Sequence, residues 1–278
     1  MRLMPRDIKL FAKLNECQWL STSQIQRVMF EGVSLNAVNK RMRKLINDGY
    51  VYAARCSRFE EYYFRLKPKA RRVLESEYGI QNAGSEVGRV LPGDIRHFSV
   101  INDIRLAFQK AATDGLFNIK VFSTDRELKK MIPYLAIIPD AFVLLDLSDG
   151  SRDQSFFVEV DLGTERPGFF GKKIQSYETT VNGPLKLLSP KASLLIFCLT
   201  RRHVLTLAEK IIAVSQNINR YYLTSMSDFS RGYDIRGKMF LSLREINKSQ
   251  NDLVSLFDKV SSCPEHVSYR QDKFILCK

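Results

Sequence analysis

The chain lacks any apolar run approaching the roughly 20 residues that a membrane-crossing helix needs, and its amphipathic start, MRLMPRDIKLFAKL, has no secretory h-region or cleavage site. A cytoplasmic protein with no membrane partner is expected. Cysteine is sparse. Cys17, Cys56, Cys198, Cys263 and Cys277 are odd in number, scattered, and never form a C-x-x-C pair, which argues against a disulfide framework and a zinc site. No pair among the 3 histidines has zincin spacing. There is no Walker loop, no G-x-G-x-x-G, no G-x-S-x-G and no internal repeat, so ATP-driven chemistry and triad hydrolysis find no support. Acid is in short supply too: 43 Lys and Arg face 30 Asp and Glu, a formal charge of +13. Such an excess points to a polyanion, most simply nucleic acid.

What the chain has in quantity is apolar patterning. At 278 residues and 45% hydrophobic, it can bury a substantial core, and two domains are expected. Residues 1–80 carry 16 Lys and Arg against 8 Asp and Glu, so most of the basic excess lies there. Pro5–Leu14 predicts a helix with Ile8, Phe11, Ala12 and Leu14 inward and Pro5 in the first turn. Ser21-Thr22-Ser23 caps a second helix, Gln24–Phe30, and Ser34 caps a third, Leu35–Asn47, which stops at Asp48-Gly49. The third helix has an apolar stripe of Leu35, Val38, Met42, Leu45 and Ile46. Its opposite face carries Asn36, Asn39, Lys40, Arg43, Lys44 and Asn47. Two strand-like runs follow, Tyr50–Arg55 and Glu61–Leu66, then a helix, Pro68–Tyr78. This is the order of a winged helix-turn-helix. Asparagine reads adenine, Arg and Lys read guanine or clamp phosphate, and Arg55 and Arg58 of the wing reach backbone or minor groove. A solvated basic helix face, or a winged helix used for protein contact, is the competing reading.

Residues 81–94 gather Gly, Asn, Ser and Pro and read as a linker to a second domain, 95–278. There, Ile95–Ala112 predicts a helix, with His97 near its start reading as a hydrogen-bonded, half-buried histidine. Phe117–Phe122 predicts a strand. Two further runs, Ala141–Leu147 and Phe156–Leu162, are joined by a turn containing Asp149-Gly150, a hairpin signal. Alternation puts Phe157, Glu159 and Asp161 on one face, the two carboxylates roughly 6–7 Å apart, and Asp140 can join them across the hairpin. Burying unpaired carboxylates costs several kcal/mol each, so a cation is expected there, and a metal ion is the sharp candidate. In the helix Gly168–Val181, Lys173 falls at the edge of the Phe170, Ile174, Tyr177, Val181 stripe, whereas Lys172 points away. An apolar strand, Ser193–Thr200, and a helix, His203–Ile218, follow, and after Tyr221 the signals weaken to a strand at Met239–Leu243 and an apolar tail at Leu253–Val260. Carboxylates of this kind also occur at sheet edges, simply paired with Lys or Arg.

Ile138-Pro139-Asp140, then Glu159-Val160-Asp161, then a lysine on the next helix resembles the PD-(D/E)xK nuclease core, with Asp161 standing where that core has its lysine and Lys173 as the migrated substitute. Together with the winged helix, Pro139-Asp140-Ala141, Glu159 to Glu165 (EVDLGTE) and Tyr177 resemble the replication-relaxation family of plasmids and mobile elements, including MobC-type relaxase-like proteins. The resemblance implies an α+β / α/β chain: an N-terminal winged helix followed by a restriction-endonuclease-like αβββαβ domain. It also implies recognition of an origin-like site on double-stranded DNA, with metal-dependent nicking or relaxation during replication or mobilisation, alongside accessory proteins of those processes. Carried over, Asp140 and Glu159 bind Mg²⁺ or Mn²⁺, Asp161 is a third ligand, and Lys173 offsets transition-state charge. Tyr177 is a structural tyrosine or a nucleophile, and Glu165 belongs to the surroundings of the site. The alternative class is a non-enzymatic DNA-binding regulator that keeps the fold without the chemistry.

Overall fold

The computed structural model describes residues 2–58, 60–80, 92–147, 153–163, 169–179, 183–230, 232–233, 235 and 240–248. The chain is a mixed α+β protein of two compact units, Met1–Asp103 and Ile104–Lys278. The division falls inside a helix, α5 (Pro92–Thr113), C-terminal to the 81–94 stretch, most of which lies outside the described residues.

In the first unit, α1 (Pro5–Cys17) opens with Pro5 where no intrahelical N–H is needed, and the Met4 N–H donates to Asp7 Oδ2 at 2.6 Å. Leu10, Phe11, Leu14 and Cys17 are its buried stripe. A two-residue strand, β1 (Leu20–Ser21), precedes α2 (Thr22–Met29) and has no counterpart in the sequence reading, being too short for a period-2 pattern. Ser21 and Gln24 cap α2 reciprocally, Ser21 N–H to Gln24 Oε1 at 2.9 Å and Gln24 N–H to Ser21 Oγ at 3.2 Å. Ser34 caps α3 (Leu35–Asn47), which stops at Gly49, whose φ of +78° suits glycine. β2 (Val51–Ala54) and β3 (Tyr63–Leu66) pair antiparallel, and β3 is central in the order β1-β3-β2. α4 (Pro68–Tyr78) follows directly. Leu35, expected inside, is 45% exposed, because the first turn of α3 overhangs the core that Val38, Met42 and Leu45 fill.

The second unit is built on a six-stranded mixed sheet. After α5 come β4 (Phe117–Thr124), α6 (Asp125–Met131), β5 (Ala141–Leu147), β6 (Gln154–Asp161), α7 (Phe169–Thr179), α8 (Pro184–Leu187), β7 (Ser193–Cys198) and α9 (Arg201–Val214). β8 (Tyr221–Ser225), α10 (Met226–Phe229), β9 (Leu241–Ser242) and α11 (Leu243–Lys248) complete the described part. Strand order is β4-β5-β6-β7-β8-β9, antiparallel at β4-β5-β6 and β8-β9, parallel at β6-β7-β8. The parallel pairing of β6 with β7 requires a crossover, which α7 and α8 supply. Phe157, Leu194, Ile196 and Leu223 of the sheet pack with Phe170, Ile174 and Tyr177 of α7 and Val204, Leu207 and Ile211 of α9 in one core. Burying each such side chain contributes about 1.5–3 kcal/mol. Of the strands after β7, β8 is a short buried run with no counterpart in the sequence reading, whereas β9 falls inside the strand signal at 239–243. The Asp149-Gly150 turn, Val181 and an apolar tail at 253–260 lie outside the described residues.

Candidate functional site

Two places carry the candidate residues, one in each unit. In the first, α3 buries Val38, Met42 and Leu45 and turns Asn36, Lys40, Arg43 and Lys44 to solvent, with Asn39 half-buried beside them. Arg43 Nε donates to the Asn39 carbonyl at 3.4 Å, a weak tie within the same face. Arg41, one residue from Lys40, is turned inward instead. It forms an ion pair with the buried Asp7 of α1, its Nε donating to Oδ1 at 2.8 Å. That split follows from the 100° step of the helix. It separates one structural arginine from the exposed basic group. Arg55 and Arg58 are exposed at the end of the β2–β3 ribbon, and Arg55 lies over the Tyr62 ring at 3.7 Å. Phe59 lies outside the described residues.

In the second unit, β6 sends Phe157, Glu159 and Asp161 to the face covered by α7 and α9. Glu159 is 1% exposed. Lys173 of α7 donates to its Oε2 at 2.5 Å, and the Tyr177 hydroxyl donates to its Oε1. Lys172 is exposed. Burial pushes Glu159 up to about 8, against the lowering pull of Lys173, with the neighbouring charge of Asp140 adding to the rise. Tyr177 is wholly buried, and burial chiefly, with Glu159 next, raises its hydroxyl well above the ordinary tyrosine value. Asp140, half-buried at the head of β5, accepts from the Val160 N–H at 2.7 Å through Oδ2. Asp161 accepts from the Gly163 N–H at 2.9 Å through Oδ1, and its Oδ2 lies 3.1 Å from His203 Nε2. Glu165 lies outside the described residues.

The structure thus brings Asp140, Glu159, Lys173 and Tyr177 together, and hands Asp161 to a different partner at the start of α9. His203 is the residue that sequence reasoning did not connect to the acids. Nothing in spacing marks it, because the contact is made by a crossover that brings β7 beside β6. Each carboxylate of the trio already accepts from a protein donor. Among the described residues no group of three His, Cys, Asp or Glu side chains is placed to hold a metal ion. A hard cation such as Mg²⁺ or Mn²⁺ needs several converging oxygens, so the arrangement as it stands does not fit one.

A family model described as replication-relaxation matches residues 11–186. The chain belongs to the replication-relaxation family, which ties it to the replication or mobilisation of mobile elements, and thereby to DNA. The match runs from within α1 of the first unit to within α8 of the second. No curated protein and no solved structure matches the chain. No described helix is long and apolar enough to cross a membrane.

Proposed function

We propose that the chain is a DNA-binding component of mobile-element replication or mobilisation, in which the first unit is a winged helix that reads an origin-like duplex through α3. The exposed Asn36, Lys40, Arg43 and Lys44 over a buried Val38-Met42-Leu45 stripe carry this reading. Such a helix offers amides and guanidinium groups to base edges and ammonium groups to phosphates, with Asn39, Arg55 and Arg58 extending the contact. The second unit, in this reading, is a PD-(D/E)xK-like αβββαβ core with α6 inserted between β4 and β5 and α8 before β7, its acidic centre closed by Lys173 and Tyr177. It acts as a regulator's scaffold.

A second reading, metal-dependent nicking with Asp140, Glu159, Asp161 and Lys173 as the working residues, is favoured by the charge of Asp140 beside Glu159 and its lysine. It requires Glu159 to exchange its present partners for Mg²⁺ or Mn²⁺. Incubation with supercoiled origin DNA separates the two. A specific mobility shift without nicked product in either metal supports the regulator. Metal-dependent nicks that disappear in Asp140→Ala and Glu159→Ala support the nickase.

A further inference from the structure

The β2–β3 ribbon and its loop end carry two tyrosines that touch the core at one edge, Tyr52 against Trp19 and Tyr62 against Phe64, and leave much of each ring to solvent. Tyr52 is 43% exposed and Tyr62 is 40% exposed. Each has a guanidinium over its ring: Arg65 Cζ lies 5.0 Å from the Tyr52 centroid, and Arg55 Cζ lies 3.7 Å from that of Tyr62. Tyr52 and Arg65 are direct cross-strand partners, and the same register carried one step past Ala54 and Tyr63 sets Arg55 opposite Tyr62. Side chains alternate along a strand, so positions 52 and 55 point to opposite faces. The ribbon therefore presents one aromatic–guanidinium pair on each side. The only acids between Tyr50 and Leu66 are Glu60 and Glu61. Glu60 is paired with Arg96, and Glu61 accepts from the Ser23 N–H at 2.7 Å and hydroxyl at 2.9 Å. Its three arginines, Arg55, Arg58 and Arg65, outnumber these two acids, so the ribbon keeps a net positive charge.

An exposed ring beside an arginine fits a flat, electron-rich partner joined to an anion. A duplex keeps its base faces stacked on one another and offers only edges in its grooves. An unpaired strand offers faces and phosphates together. We propose that the β2–β3 ribbon is a single-stranded DNA site, in which Tyr52 and Tyr62 stack unpaired bases and Arg55 and Arg58 hold the adjoining phosphates. The proposal rests on the reading of the first unit as DNA-binding and extends it from paired to unpaired DNA.

Trp19 supplies a reporter. It is the sole tryptophan of the chain, its ring meets Tyr52 edge-on with centroids 6.0 Å apart, and Arg65 Cζ lies 5.2 Å from it. Titration of the full chain with an oligothymidylate should change Trp19 emission. Tyr52→Ala and Tyr62→Ala should each weaken that binding about tenfold, while Tyr52→Phe and Tyr62→Phe, which keep the ring, should stay within about twofold. Circular-dichroism melts establish that the variants fold. A duplex of matched length is titrated in parallel. Duplex binding without oligothymidylate binding overturns the single-strand site alone, and binding of neither overturns the reading of the first unit with it. Alanine variants that bind oligothymidylate like the parent, or phenylalanine variants that lose as much as the alanines, also overturn the proposal.

Discussion

Asp103 shows how a single buried charge sets a pH dependence. It sits in the buried middle of α5, paired with Arg27 of α2. Burial nevertheless raises its carboxyl to about 6, because Arg27 and Gln24 only partly offset the loss of water. The folded value lies above the unfolded 3.8, so the folded chain binds the proton more tightly. The stability contributed by protonation is complete below pH 3.8 and is lost as pH rises through about 6. Two pH units of difference amount to roughly 3 kcal/mol. Denaturant melts from pH 4 to 6.5 should show the parent losing stability relative to Asp103→Asn, and parallel curves would contradict the assignment. Glu159 shows the same rise, to about 8, with Lys173 pulling against it. Above that pH the carboxyl is ionised, and removing Lys173 leaves a buried charge without its cation, a loss typically worth about 3–5 kcal/mol; below it the carboxyl keeps its proton and the loss is smaller. At about pH 9 Lys173→Met should therefore lower the unfolding midpoint sharply, and Lys173→Met combined with Glu159→Gln should recover much of the loss. A midpoint unchanged in the single variant would mean that the pair contributes little.

At the scale of elements, α3 permits a prediction about charge alone. Each phosphate neutralised by a lysine or arginine releases condensed counterions, contributing about 0.9 to the slope of log K against log salt on duplex DNA. Replacing Lys40 and Arg43 by alanine should reduce that slope by about 2 and weaken duplex binding. A slope that does not move would shift the main contact away from α3. This element is also where sequence was most informative. Ser34, the Val38-Met42-Leu45 spacing and Gly49 are local signals, and α3 occupies Leu35–Asn47 as read from them. β5 and α4 likewise coincide with their sequence-based bounds, Ala141–Leu147 and Pro68–Tyr78. The edge position of Lys173 on α7 and the solvent exposure of Lys172 followed from helical geometry. Less legible was α5. Its residues 101–108 are buried all round, including Asn102, Asp103 and Arg105, so no single stripe describes it. Asn102 donates to the carbonyls of Cys17 at 3.0 Å and Trp19 at 2.5 Å, partners more than 80 positions earlier. Pairings of that kind, like that of Asp161 with His203, depend on tertiary topology and leave no period in the sequence.

For the whole molecule, coupling between the two units separates an acidic centre that handles DNA from one that only stabilises its unit. The α3 face and the Glu159–Lys173 pair belong to different compact units. Substitutions at independent sites add within about 0.3–0.5 kcal/mol, whereas sites that act on one process couple more strongly. Duplex affinity measured for Lys40→Ala/Arg43→Ala, for Glu159→Gln, and for all three together forms a cycle that reads this directly. Glu159→Gln keeps the shape of the side chain and its acceptor oxygen while removing the charge, so it perturbs the fold less than loss of Lys173. A regulator with a closed centre should give additive effects, the Gln variant binding duplex like its parent at every Mg²⁺ concentration. Coupling above about 1 kcal/mol that grows as Mg²⁺ or Mn²⁺ is added would mean that the carboxylate answers to DNA and cation together. The closed centre would then be the resting form of a nickase rather than a scaffold.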